Sequence, residues 1–284
     1  MSLEVVIDKS FDPSALQKYH LSLKIGIDFF IVNAVKVKSA TNVAIAEQNF
    51  KGEFKQDFHT SAFVETLKKA PIKVTKKYQS VSVSIANTLF SIIPKALFDE
   101  TMVKSYVELN CKVNENYDYR YNIIPNSGMV ICYAIPRDLN SWLTKVFPKA
   151  KINHELAISI EACVRDFKSL SENRLILNVH KNYFDFIYLK QGKVEFVNSF
   201  HFEEKEDFLY FLLFTCEQLE INPHEITTYL LGEIKKGEEL HQLLFQYIKN
   251  LEFGSRNKNI KIAHGLSSIP KHYFYNIFNQ YLCG

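Results

Sequence analysis

The chain has 284 residues, 47% hydrophobic and 23% charged, a globular balance at a length that suggests about two domains or lobes, each with its own core. With 34 basic against 31 acidic residues the net charge is only +3, so no global field marks a nucleic-acid or membrane-surface binder. Five scattered cysteines without a CxxC pair argue against a disulfide framework or zinc site and for reduced thiols in the cytoplasm.

No basic segment leads into an apolar run at the start, and no stretch reaches the ~18 apolar residues of a membrane span. The longest candidate, FLYFLLF at Phe208 to Phe214, reads as a buried helix.

After an irregular start, Leu21 to Ile27 and Ile31 to Val37 read as β-branched strands with Asp28 at the turn between them, and Thr41 to Phe50 as a third. Asp57 to Ala70 spaces Phe58, Ala62, Phe63 and Leu67 at helical intervals, and Pro71 ends it. Val81 to Ile85 alternates Val and Ser, the pattern of a strand with one wet face. LFSIIP and a helix from about Lys95 to Leu109 follow, then a strand pair, Tyr117 to Ile124 and Met129 to Ile135, around Pro125 to Gly128. Helices at Asp138 to Phe147 and His154 to Phe167 lead to a polar junction, Lys168 to Asn173.

Beyond the junction the plan repeats. Strands at Leu175 to Val179, Phe184 to Leu189 and Val194 to Phe202 precede a helix from about Asp207 to Leu219, whose acidic entry suits the positive end of its dipole. A strand at Thr227 to Leu231 and a helix at Glu238 to Leu251, with Leu240, Leu243, Leu244, Tyr247 and Ile248 inward, complete it. Meander, helix, strand and helix, twice over, predict an α/β protein of two pseudo-duplicated lobes around a cleft: residues 1–170 with an inserted module at about 80–125, and residues 171–284.

Glycine is scarce. Nine in the chain is roughly half the usual share of about 7%, and no GxG pair occurs. Phosphate-cradling loops need glycine, because backbone N–H groups must approach the anion where a side chain would block them. The nearest approach to a P-loop, Gly232 to Gly237, is followed by Glu238 and Glu239, which repel a phosphate. The nine histidines never take HxH, HxxxH or HExxH spacing, and Gly265-Leu266-Ser267-Ser268-Ile269 lacks the second glycine of a nucleophile elbow. Lys68, Lys69, Lys73, Lys76 and Lys77 could grip a phosphate backbone, but a solvated helix end explains them more simply. Phe208, Phe211, Leu212, Thr215 and Leu219 form a core stripe on one helix face, with Tyr210 and Phe214 on another, open to an interface.

The segments Asn198 to Glu225 (NSFHFEEKEDFLYFLLFTCEQLEINPHE), Tyr229 to Gly254, Val81 to Glu100 and Ile269 to Cys283 resemble the bacterial domain-of-unknown-function family 3822, whose fold is actin-like. More distantly, Gly128 to Pro148 followed by a meander is similar to the cytoplasmic actin-like proteins of type IV pilus and type II secretion assembly.

The resemblance implies a degenerate nucleotide site. ATP-using members place an acidic residue and a glycine turn in the first hairpin of each lobe. Here Gly26 and Asp28 persist but Phe29-Phe30 stands where Gly-Thr belongs; Asn178 falls near the acidic position and His180-Lys181-Asn182-Tyr183 replaces the glycine turn. Gly232 echoes the glycine that ends the adenosine-side strand. The implied cofactor-binding set is therefore Gly26, Asp28, Asn178, His180, Lys181 and Gly232, with no catalytic or metal-ligating residue and no cofactor expected beyond a residual chance of ATP and Mg²⁺. The expectation is a non-catalytic pseudo-ATPase acting as a protein-interaction or assembly scaffold, with a partner protein or a second copy bound. The alternatives are a nucleotide-binding ATPase or sensor with an atypical phosphate site and, behind it, a nucleic-acid adaptor.

Overall fold

The computed structural model describes residues 5–50, 58–75, 77–167 and 172–283. Gly52, Asp57, Lys76 and the junction residues 168–171 lie outside them. In chain order the strands and helices are β1 Val5–Ile7, β2 Tyr19–Ile25, β3 Phe29–Lys36, β4 Thr41–Asn49, α1 Thr60–Lys69, β5 Ser80–Ile85, β6 Phe90–Pro94, α2 Val103–Asn110, β7 Tyr117–Ile124, β8 Met129–Pro136, α3 Arg137–Val146, β9 Lys151–His154 and α4 Glu155–Phe167. The second run comprises β10 Arg174–Val179, β11 Tyr183–Lys190, β12 Lys193–His201, α5 Lys205–Gln218, β13 Thr227–Gly232, α6 Glu239–Tyr247, β14 Asn250–Phe253, β15 Lys261–Ile262 and α7 Tyr275–Asn279.

Two compact units result. The first comprises Met1–Ser159, Lys258–Ser268 and Asn276–Gly284; the second comprises Ile160–Asn257 and Ile269–Tyr275. The division falls inside α4, and two C-terminal segments belong to the first unit.

The units share one plan. In the first, the strand order β4-β3-β2-β5-β9 runs antiparallel, antiparallel, parallel, parallel. In the second, β12-β11-β10-β13-β14 repeats it step for step. Even the irregularities coincide: the β3–β4 ladder slips register at Ala34/Val35 and the β11–β12 ladder at Tyr188/Leu189, each at the sixth residue of its strand. Such bulges add local twist to the meander. The units differ at the outer edge, where β1 and β15 cover β4.

Of the three serines of strand β5, only Ser80 at its start is exposed. Ser82 and Ser84 are buried because a polar layer receives them: His20 Nδ1 and Nε2 lie 2.7 and 2.9 Å from the Ser80 and Ser82 hydroxyls, Gln280 Nε2 donates to Ser82 Oγ at 3.0 Å, and Gln280 Oε1 accepts from Ser84 Oγ at 2.9 Å. Alternation in β5 thus marks a sheet face covered by a polar C-terminal segment. It also places β5 in the main sheet, between β2 and β9; the separate module is the sheet β6-β8-β7 with α2, Phe90 to Pro136.

Other expectations change for local reasons. The helix expected from Lys95 to Leu109 breaks into two 3-10 turns and α2, because the Asp99 carboxylate accepts from Thr101 N–H and Oγ1 and caps a new start. The helix expected through Leu251 stops at Tyr247. Its Tyr247 is exposed although Leu244 and Ile248 are buried, and Asn250–Phe253 turns to period-two burial as β14. β1 and β9 are too short to show a sequence period. Helix α5 is buried on Phe208, Leu212, Thr215 and Cys216 only; Tyr210 is 61% and Phe214 48% exposed.

Candidate functional site

Hairpin β2–β3 turns on Gly26-Ile27-Asp28-Phe29. The Gly26 N–H donates to the Phe29 carbonyl at 2.9 Å, and the Asp28 carbonyl accepts from Phe50 N–H at 2.8 Å. Hairpin β10–β11 turns on His180-Lys181-Asn182-Tyr183 with the same two bonds, His180 N–H to Tyr183 O at 2.9 Å and Phe202 N–H to Asn182 O at 3.1 Å. The turns are therefore equivalent residue by residue, and the fourth position is aromatic in both.

That aromatic residue roofs the first position each time. A Cβ built on Gly26 would meet Phe29 Cε1 at 2.1 Å, so the ring occupies the space the missing side chain leaves. In the second turn the Tyr183 ring stacks on the His180 imidazole, centroids 4.2 Å apart and planes 17° from parallel.

Beneath the first turn, Lys24 Nζ lies 5.1 Å from the Phe29 ring centroid and 2.6 Å from Glu155 Oε1, both partners buried. Asn276 Nδ2 donates to the same carboxylate at 2.7 Å and its Oδ1 accepts from Ser159 at 2.8 Å. The carboxylate at the start of α4 also suits that helix's positive end.

Beneath the second turn the register aligns Asn178, Asp185 and Ser199 across three strands. The buried Asp185 carboxylate receives Asn178 Nδ2 at 3.1 Å, His180 Nε2 at 3.0 Å and Ser199 Oγ at 2.6 Å. The serine bonds the carboxylate and not the imidazole, so this is no Ser-His-Asp relay. His180 Nε2 also lies 3.1 Å from Asn178 Nδ2, and with Asn178 and Ser199 donating to it the buried carboxylate has the partners that burial requires.

Gly232 closes the same corner at φ +82°, where a Cβ would meet the Val179 carbonyl oxygen at 2.1 Å and Asn178 Oδ1 at 2.8 Å. Its N–H donates to His272 O at 2.9 Å, and the following Glu233 N–H donates to Val179 O at 2.7 Å. Burial lowers the imidazole pKa of His272, and its Nε2 lies 2.8 Å from Ile234 O.

Of the six residues implied by resemblance, Asn178, His180 and Gly232 thus meet at one corner of the second unit, with Lys181 exposed at the turn tip. Gly26 and Asp28 share the first unit's turn. Lys24, Glu155, Asp185 and Ser199 escaped the sequence reading. The available signal was a charged residue inside an otherwise apolar strand, LSLKI and YFDFIYL, which strand propensity disfavours unless the charge has a buried partner.

Other sites are ordinary. Among the described residues no group of three His, Cys, Asp or Glu side chains could hold a metal, and no helix is long and apolar enough to cross a membrane. Among the described residues no cysteine is joined in a disulfide, and burial pushes the thiols of Cys132 and Cys216 up to about 11 and about 12. A polar depression of about 720 Å³ on the inserted module is lined by Lys104, Glu108, Asp118, Tyr119, Arg137 and Asn140. Within it Arg137 pairs with the Asp118 carboxylate at 3.0 Å and Asn140 Nδ2 donates to the same group at 2.8 Å. Lys68 and Lys69 end α1, and Lys73 Nζ reaches the Lys68 carbonyl at 3.4 Å, a helix-end arrangement.

A family model described as protein of unknown function (DUF3822) matches residues 8–251. A Bacteroides thetaiotaomicron protein described as having an actin-like ATPase fold and unknown function is 20% identical, with TM-score 0.80 over 96% of this chain and 99% of that one. The PilM–PilN type IV pilus biogenesis complex contains a chain 12% identical, with TM-score 0.61 over 93% of this chain and 97% of that one. No curated protein matches the sequence. The fold is the actin-like ATPase fold.

Proposed function

The chain belongs to the DUF3822 family, and from that premise we propose that it is a pseudo-ATPase: an actin-like protein of the cytoplasm that has lost phosphate chemistry and serves as a protein-interaction or assembly scaffold. One observation carries the reading. Both hairpin turns spend the N–H of their first residue on their own fourth carbonyl and roof that residue with an aromatic ring. A phosphate site needs backbone N–H groups that point outward into open space.

The corner at Gly232 supports the same conclusion, since its N–H and that of Glu233 are bonded to His272 and Val179. The alternative, a sensor that binds nucleotide through Asp28, His180 and Lys181, has to take His180 from the Asp185 carboxylate, 3.0 Å away. An actin-like fold held in a protein complex has a parallel in PilM–PilN, which favours a scaffold role.

Calorimetric titration of the full chain with Mg-ATP tests the proposal. No saturable heat is expected; micromolar binding abolished by Asp28→Ala would defeat it.

A further inference from the structure

The two units differ where the duplication should make them alike. In the first, β1 lies antiparallel on the outer edge of β4, with Val5, Val6 and Ile7 opposite Ala46, Ile45 and Ala44, and β15 pairs with Thr41 and Asn42. In the second, the corresponding edge belongs to β12, nine residues long, and among the described residues no strand pairs with it. Matching the ladders through Val32–Ala46 and Phe186–Asn198 makes Val197 the counterpart of Ile45.

The edge is competent to pair. Phe202 N–H bonds inward to Asn182, and in an antiparallel ladder inward-bonded and outward-facing residues alternate. Phe196, Asn198 and Phe200 therefore spend their backbone groups on β11, while Val197 and Ser199 turn theirs outward. The Ser199 N–H is covered by Asn198 Oδ1 at 2.9 Å, a local cap that a strand ligand displaces. An uncovered edge of this length is what soluble proteins ordinarily protect.

Helix α5 supplies a second surface beside it. Phe211 stacks on Phe200 of β12, centroids 5.4 Å apart and planes at 15°, so that flank of the helix faces the edge strand. The helical turn carries the surface on from Phe211 through Phe214 to Tyr210. These last two rings stack on each other at 5.9 Å and are the exposed aromatics of the helix. The core stripe Phe208, Leu212 and Cys216 points elsewhere, into the sheet.

We infer that the occupant of this edge is a second copy of the chain, its β12 lying antiparallel to the first about a two-fold axis at Val197. The strand is self-complementary in that register: Val197 meets Val197, Phe196 meets Asn198 and Glu195 meets Ser199. No carboxylate meets a carboxylate and no ammonium an ammonium. An in-plane antiparallel pair has its axis perpendicular to the sheet, so both α5 helices fall on the same face, where Phe214 and Tyr210 of each copy cover the other's. The contact is isologous and closed, which leaves no free edge to propagate. It stands independently of the nucleotide reading, since neither hairpin turn takes part.

Sedimentation velocity of the full chain over a wide concentration series tests it, with amide hydrogen exchange on the same samples. The expected result is a mass of two chains at high concentration and slowed exchange at Val197 and Ser199 in the dimer. Val197→Pro removes an outward N–H without touching the β11 ladder, and Phe214→Glu puts a charge on the helix contact. Each is expected to weaken self-association roughly tenfold or more while circular dichroism and the urea midpoint stay near those of the parent. A single-chain mass at every concentration overturns the inference, as does a dimer that survives both substitutions. Should the proline variant fail to fold, the exposed Phe214 variant decides alone.

Discussion

The Phe29 ring lies across Gly26 so closely that a methyl group on the glycine would sit 2.1 Å from Phe29 Cε1. Gly26→Ala therefore expels the ring, which also leaves the Lys24 ammonium, at an expected cost of about 1–2 kcal/mol in urea unfolding. The same substitution in a Phe29→Ala background is expected to be nearly neutral, because the obstacle is a side chain. Gly232→Ala is a different case. Its obstacle is the Val179 carbonyl and its φ is +82°, so a loss of about 3 kcal/mol or more is expected, with no rescue from a second site.

Lys24 and Glu155 form a buried ion pair at 2.6 Å. Removing one partner strands the other charge in a medium that cannot solvate it, so Lys24→Met is expected to cost about 3–5 kcal/mol. Lys24→Met combined with Glu155→Leu removes both charges and is expected to recover most of the loss. A double-mutant cycle by chemical denaturation checks the coupling; additive losses would show that the pair holds nothing together.

Stability is expected to fall on mild acidification because of His20. Burial lowers its pKa from 6.5 to about 4, and its two ring nitrogens lie against the Ser80 and Ser82 hydroxyls. The unfolded chain takes up the proton near pH 6.5 and the folded chain only near pH 4, so between these values the unfolded state binds more protons. Stability is full above about pH 6.5, declines as pH falls to about 4, and loses up to ~3 kcal/mol from this group. His20→Asn is expected to flatten that segment of the curve of melting temperature against pH; an unchanged slope would refute the assignment.

The paired meanders, the helices that follow them and the position of both turns were legible in the sequence, because strand alternation, β-branching and helical spacing are short-range properties. The aromatic residues at Phe29 and Tyr183 were equally visible. Hidden were the strands β9 and β14, the wet or dry state of Ser82 and Ser84, and the partners of Lys24 and Asp185. Ser84 is read correctly only once Gln280 is seen against it, and Asp185 only once Asn178 and Ser199 are aligned beside it by strand register.

By itself, then, the chain's order of residues determined which segments extend, which coil and where the backbone reverses, since each depends on neighbours a few positions away. Tertiary structure alone decided that Lys24 is neutralised by Glu155, that three side chains converge on Asp185, and that one outer edge is clothed by β1 while among the described residues no strand pairs with the outer edge of its counterpart β12. Burial and charge pairing join residues remote in the chain, and the cost of an unsatisfied polar group acts only after folding has removed the water.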